Sequence, residues 1–275
     1  MPKIGSRFYR LLDRFFVPRD LRLFHRSRNV AAIPPATIRY GGKVAYGEWC
    51  HVIGLFQALI YHHLERKTGN QILDVGCGMG LVGMAATPFT ADGGHLTGID
   101  VNAAAIDYCQ DALGGTNASF SLLETANQMY SPGVAKEQAQ WTIGDASMDL
   151  VTALSVWTHF QEADASFYLA EVKRVLKPGA TAIISWFELD SVYEEAVRND
   201  RVERWVFDTP CEGSAGWRYP SWVRVPENAI GVEVEALASV IAASGLERVA
   251  TYPGAWKVDG GFYYQDVLVL RRPID

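Results

Sequence analysis

The segment Gln71-Ile72-Leu73-Asp74-Val75-Gly76-Cys77-Gly78-Met79-Gly80 constrains this chain more than any other. It is a short apolar strand that runs into a turn with glycine at every second position. Glycines let the backbone approach a ligand closely, and the helix expected next presents unpaired N–H groups to it. Such a strand, turn and helix make a nucleotide cradle. Asp100 ends the next expected strand, 22 residues after Gly78, where a carboxylate accepts both hydrogen bonds of a ribose diol. Leu81 stands where a dinucleotide fingerprint places glycine, and an NAD site has no particular need of an acid at Asp74, so the spacing disfavours NAD.

From residue 71 onward short apolar strands alternate with helical stretches, the pattern of a parallel sheet with helices on its faces. Strands are expected at Gln71–Val75, His95–Asp100, Ser119–Leu123, Met148–Ser155, Ala180–Trp186, Leu246–Tyr252 and Phe262–Leu270. Asn102 is placed to cap a helix running to about Leu113, where Gly114-Gly115 stops it. Ala165, Tyr168, Leu169, Val172 and Leu176 line one face of another helix, which Lys177-Pro178-Gly179 ends, and Glu233–Ser244 is a further helix.

With 275 residues, 49% apolar and 20% charged, the chain is long and apolar enough for one large domain or two small ones, and disorder is excluded. No apolar run approaches a membrane span and no signal-peptide pattern opens the chain, so a cytoplasmic location is expected. Cys50, Cys77, Cys109 and Cys211 are far apart and read as reduced thiols, not as a disulfide framework or a zinc site.

A net charge of −6 argues against nucleic acid as a partner. The charge is uneven: residues 1–28 hold eight Lys/Arg against two Asp, a net +6, which leaves −12 for the remainder. Ile4, Phe8, Leu11, Leu12, Phe15 and Phe16 share one helical face of that arm. A basic amphipathic helix of this kind either packs on its own domain or a second subunit, or lies peripherally on the inner face of an anionic membrane. The expected organisation is a basic arm over 1–44 and a catalytic domain over 45–275.

At this point the chain resembles the class I S-adenosylmethionine-dependent methyltransferases over about residues 45–270. Besides the glycine turn, Asp149 to Phe160 is similar to that family's fourth strand and following loop, and Glu171 to Gly179 to its helix and turn before the fifth strand. Gly254-Ala255-Trp256 with Tyr264-Gln265-Asp266-Val267 resembles the closing strands of a subgroup associated with bacterial glycan and glycolipid O-methylation. Glu124, Asn127 and Tyr130-Ser131-Pro132 occupy places where that subgroup has an acid, Asn and Tyr-Asn-Pro.

The resemblance implies a Rossmann-like α/β fold: a mostly parallel seven-stranded sheet, helices on both faces and an antiparallel last strand. It also implies S-adenosyl-L-methionine as cofactor, with Asp74 and Gly76 beside its amino-acid tail, Asp100 on the ribose, Val101 on the adenine and Glu124 or Thr125 at the adenine amino group. Cys77, Gly78 and Ser155 complete the cofactor contacts it implies. A sulfonium cation suits a pocket lined by carboxylates.

The expected reaction is O-methylation of a hydroxyl on a sugar, glycan precursor or secondary metabolite. The alternatives are a small-molecule N- or C-methyltransferase and a degenerate cofactor-binding scaffold. An alcohol acceptor must lose a proton, and His159, just beyond the fourth strand, is either the base that takes it or a packing residue. Asp266, Glu188 and Asp190 compete for the role; two of them converging would instead suit a divalent metal, although none is expected. Residues 191–232 form an aromatic insertion, which is either a lid over the acceptor or a small core of its own.

Overall fold

The computed structural model describes residues 8, 11, 32–39, 43–115, 117–123, 138–202 and 204–274. The amphipathic arm therefore lies outside the described residues, except for Phe8 and Leu11, which are both exposed. The chain divides into two compact units, Met1–Leu122 and Leu123–Asp275.

The first unit contains α1 (Tyr46–His63), a helix that the sequence reading did not anticipate. Trp49, Val52, Ile53, Phe56, Leu59 and Ile60 recur at helical spacing and are buried, and α1 packs on α2 (Leu81–Ala86). Its strands β1 (Gln71–Val75), β2 (His95–Asp100) and β3 (Ala118–Leu122) run parallel in that order. Both neighbours of Gly98 on the pleat explain its lack of a side chain: a Cβ there would stand 2.3 Å from the Phe120 ring and 3.1 Å from Cys77 Sγ. Between β2 and β3, α3 (Ala103–Ala112) starts as its sequence demands, with Asn102 Oδ1 accepting from the amides of Ala104 and Ala105.

The second unit contains β4 (Met148–Ala153), α4 (Glu162–Val175), β5 (Leu176–Trp186), α6 (Val234–Ser244), β10 (Glu247–Tyr252) and β11 (Asp266–Arg271). The strand order is β10-β11-β5-β4. β4 and β5 are parallel, whereas β11 is antiparallel to both of its neighbours. The two units hold seven such strands, and this is the mostly parallel Rossmann-like α/β class with an antiparallel last strand. The last strand starts at Asp266 and not at Phe262, because 262–265 bend over Pro253–Trp256 and bond to it instead.

The described residues of the aromatic insertion expected over 191–232, with those flanking it, form regular elements. Here β6 (Glu188–Leu189), β7 (Thr209–Pro210), β8 (Trp217–Tyr219) and β9 (Gly231–Glu233) form a four-stranded sheet in the order β6-β9-β8-β7. With them goes α5 (Ser191–Arg198), capped by Asp190. Phe187, Leu189, Tyr193, Ala196, Val202, Phe207, Ala229 and Trp256 make a separate apolar core. The insertion thus has a small core of its own. No helix among the described residues is long and apolar enough to cross a membrane.

Candidate active site

The glycine turn follows directly from the register of β1 on β2. The amides of Gly76 and Cys77 both donate to the Ile99 carbonyl, at 2.8 and 3.1 Å, so the chain turns back over the end of β2. Gly76, Gly78 and Gly80 all have positive φ, at 64°, 49° and 80°, which a side chain would strain. Asp100 locks this geometry: its Oδ2 accepts from Gly78 N at 2.7 Å and its Oδ1 from Asn102 N at 2.8 Å. Cys109 Sγ on α3 donates to the Gly78 carbonyl from the other side. All four cysteines are free thiols.

The first unit therefore brings together Asp74, Gly76, Cys77, Gly78, Asp100 and Val101, six of the expected cofactor residues. Asp74 is buried at the end of β1, and Asp100 and Val101 are half-buried at the end of β2. Burial pushes the Asp100 carboxyl up, while the amides of Asn102, Gly78 and Val101 pull the other way. Each Asp100 oxygen has spent one lone-pair direction on a backbone amide and keeps capacity for a hydroxyl. A fixed carboxylate at the end of β2, a turn with glycine at 76, 78 and 80 and a second carboxylate near the end of β1 fit adenosine, ribose and a sulfonium cation. Glu124 and Thr125 lie outside the described residues.

Asp100→Ala should weaken S-adenosylmethionine binding at least tenfold, since a charged hydrogen bond contributes about 1.5–3 kcal/mol. Calorimetric titration checks this, and unchanged affinity would remove Asp100 from the ribose.

In the second unit the loop after β4 carries the remaining residues. Ser155 takes a left-handed φ of 58°, costly for a residue with a side chain by roughly 1–2 kcal/mol. Two bonds hold it there: Ser155 N donates to Ser185 Oγ at 2.7 Å, and Ser155 Oγ donates to Gln265 Oε1 at 2.8 Å. Ser185 Oγ donates to the same Gln265 oxygen. Ser155, expected as a cofactor contact, uses its hydroxyl proton to brace the loop. Two residues on, Trp157 is fully buried, and its indole N–H bonds the Ala165 carbonyl.

His159 ends the short 3₁₀ turn Trp157–His159. Its Nδ1 lies 2.7 Å from the Glu227 carbonyl, which can only accept, so the neutral ring carries its proton on Nδ1 and its lone pair on Nε2. Burial pushes the imidazole down from its usual value, partly opposed by that carbonyl. The insertion is sewn to this loop, for Ile230 N donates to the Thr158 carbonyl and Gln161 Nε2 to Glu227 Oε1.

The competing acids are placed otherwise. Asp266 is wholly buried and accepts from Gly254 N, Glu188 N and the Trp256 indole, with Lys257 Nζ 3.0 Å away. Lys257 also reaches Asp190 Oδ2 and the Glu188 carbonyl, and Arg248 meets Glu188 Oε1. The three acids converge around cations of the protein itself. Asp266, expected to be catalytic, is corrected to an internal anchor, because donors surround its carboxylate and no surface is open to an acceptor. No group suited to hold a metal ion occurs among the described residues.

An acid-ended first strand, a glycine turn and an acid-ended second strand on a Rossmann-like sheet define the class I S-adenosylmethionine-dependent methyltransferase architecture. Residues 73–184 match the family described as a methyltransferase domain, and that match together with the fold indicates S-adenosylmethionine as the cofactor. A sterol 24-C-methyltransferase of Gibberella zeae is 29% identical over 164 residues, 59% of this chain and 38% of that protein. A malonyl-[acyl-carrier protein] O-methyltransferase of Erwinia billingiae is 30% identical over 135 residues, 48% of this chain and 45% of that one. The chain thus spans less than half the length of these curated relatives. The solved structure of a S-adenosylmethionine-dependent methyltransferase from Methanosarcina mazei covers 79% of this chain and 98% of its own, with TM-score 0.54 and 20% identity, a likeness of fold.

Proposed function

We propose that the chain transfers a methyl group from S-adenosylmethionine to a hydroxyl of a sugar, glycan precursor or other secondary metabolite, with His159 as the base. The observation that carries this is the Nδ1 contact with the Glu227 carbonyl. A C-methyltransferase acting on an activated carbon has less need of a pinned imidazole, and an amine acceptor loses its proton to water. When bound, the cofactor supplies an electrophilic methyl on a good leaving group. The residues then have to align the acceptor in line and remove one proton.

In this reading Asp100 fixes the ribose end, and Nε2 of His159 takes the hydroxyl proton. Glu227 holds the ring in the required tautomer. Burial keeps the imidazole neutral at pH 7, the form that accepts a proton. The acid limb of kcat/KM should therefore fall below the ordinary histidine value of about 6.5, with activity retained down to it and lost as pH drops further. A pH–rate profile with labelled cofactor against a panel of sugars and hydroxylated metabolites checks both parts. Transfer to carbon or nitrogen acceptors alone, with no acid limb, would replace this reading with the C- or N-methyltransferase one, which the sterol relative favours.

A further inference from the structure

Beyond the base, the second unit presents an aromatic corner that holds a cation with no ion pair among the described residues. Trp186 and Asp266 are register partners, so Phe187 and Gln265-Tyr264 leave the sheet at one edge, where Gln265 also braces the loop leading to His159. From this edge Phe187 stacks on Trp205 with ring centroids 5.2 Å apart, and Trp205 lies 6.2 Å from Tyr264. Trp205 and Trp222 meet at 5.5 Å and 71°, forming a corner. The Arg204 guanidinium sits in it, 4.8 Å from one ring centre and 4.9 Å from the other.

The corner is built. The Trp222 indole donates to the Arg204 carbonyl, and Ser221 fastens that segment to Asp208 by its amide and its hydroxyl, both at 2.8 Å. On the other side Phe207 N donates to Tyr193 Oη. Yet Trp222 and Tyr264 are 48% and 44% exposed, unusual for large rings that are so firmly anchored.

Charge sets Arg204 and Arg224 apart within the insertion. Arg198, Arg201 and Arg218 of the same insertion are paired with Glu194, Glu195 and Glu233. Arg204, exposed, has no ion pair among the described residues, nor has Arg224, two positions from Trp222. A guanidinium laid against rings keeps in-plane N–H donors whose spacing matches the two oxygens of a carboxylate or phosphate.

We propose that Arg204, with Trp222 and Tyr264, is an anion-binding subsite for an acceptor that carries a phosphate or carboxylate on a ring. The anion bonds the guanidinium while the ring rests on the exposed aromatic faces. This rests on the reading above, that a hydroxyl acceptor is methylated with His159 as base, and it narrows the acceptors to acidic ones.

The test uses the full chain at low ionic strength, with tryptophan fluorescence titrated by glucose 1-phosphate, glucuronate and neutral glucose. The two anions should give saturable changes at concentrations at least tenfold lower than glucose, and the stronger of the two tells phosphate from carboxylate. R204Q should raise the anion midpoint about tenfold and W222A should also raise it, while R204K, which keeps charge without a planar fork, should fall between. Equal midpoints for anions and glucose, or an unchanged midpoint in R204Q, would overturn the subsite. So would an Arg204-dependent fluorescence shift with phosphatidylglycerol vesicles that the soluble anions do not reproduce, which would assign the corner to a membrane surface. Cofactor titration and methyl-transfer assays on the same samples keep the two readings apart. Arg204-dependent anion binding without transfer to any hydroxyl leaves the subsite standing and removes the O-methyltransferase reading, and transfer indifferent to R204Q does the reverse.

Discussion

His159→Ala lowers turnover by about two to four orders of magnitude, with cofactor affinity little changed, the size of effect expected for losing a positioned general base. His159→Gln is nearly as slow, since an amide can keep a hydrogen bond to the Glu227 carbonyl but cannot take the proton. The comparison separates a base from a packing residue. A residue that only anchored the loop would be largely rescued by Gln and would show its loss in thermal stability. Steady-state kinetics on the true acceptor, with unfolding curves alongside, decides between them; near-native turnover in both variants would end the assignment.

The second large effect concerns stability. Lys257→Met leaves Asp266 wholly buried without its cation, along with the Asp190 carboxylate that shared it. Removing one partner of a buried pair costs about 3–5 kcal/mol, because the charge left behind is neither hydrated nor matched. At about 2–4 °C per kcal/mol for a unit of this size, the unfolding midpoint should drop by roughly 6–20 °C. Thermal and urea unfolding measure it. A midpoint within a degree or two of the parent would mean that Asp266 is not an internal anchor, and would return it to the candidates for catalysis.

The parts legible in the sequence were those in which a residue type has one local use. The bounds of β1 and β2 were read to the residue, because glycines at 76, 78 and 80 and the acids at 74 and 100 can hardly be placed otherwise. Asn102 as a cap belongs to the same kind. Residues 187–233 were opaque, since strands of two or three residues carry too little alternation to register. Their order comes from Phe187, Phe207 and Trp256 meeting across long separations. Asp266 misled for a related reason. An acid at the start of a closing strand looks available until Lys257, nine positions earlier, is found beside it. Ser155 likewise showed a polar residue at a sheet edge, but not that Gln265, 110 residues on, accepts its hydrogen bond.

The place of β11 has a consequence for how the second unit comes into being. This strand follows β4, β5 and β10 along the chain, yet it lies inside the sheet, between β10 and β5. A growing chain that has already exposed β4, α4 and β5 to solvent holds an open, apolar edge until residues 266–271 emerge, which is the kind of distant pairing that slows folding. Gln265 arrives immediately ahead of them. The loop bearing His159 therefore receives its brace in the same late step that closes the sheet, and a nascent chain released too early would lack both.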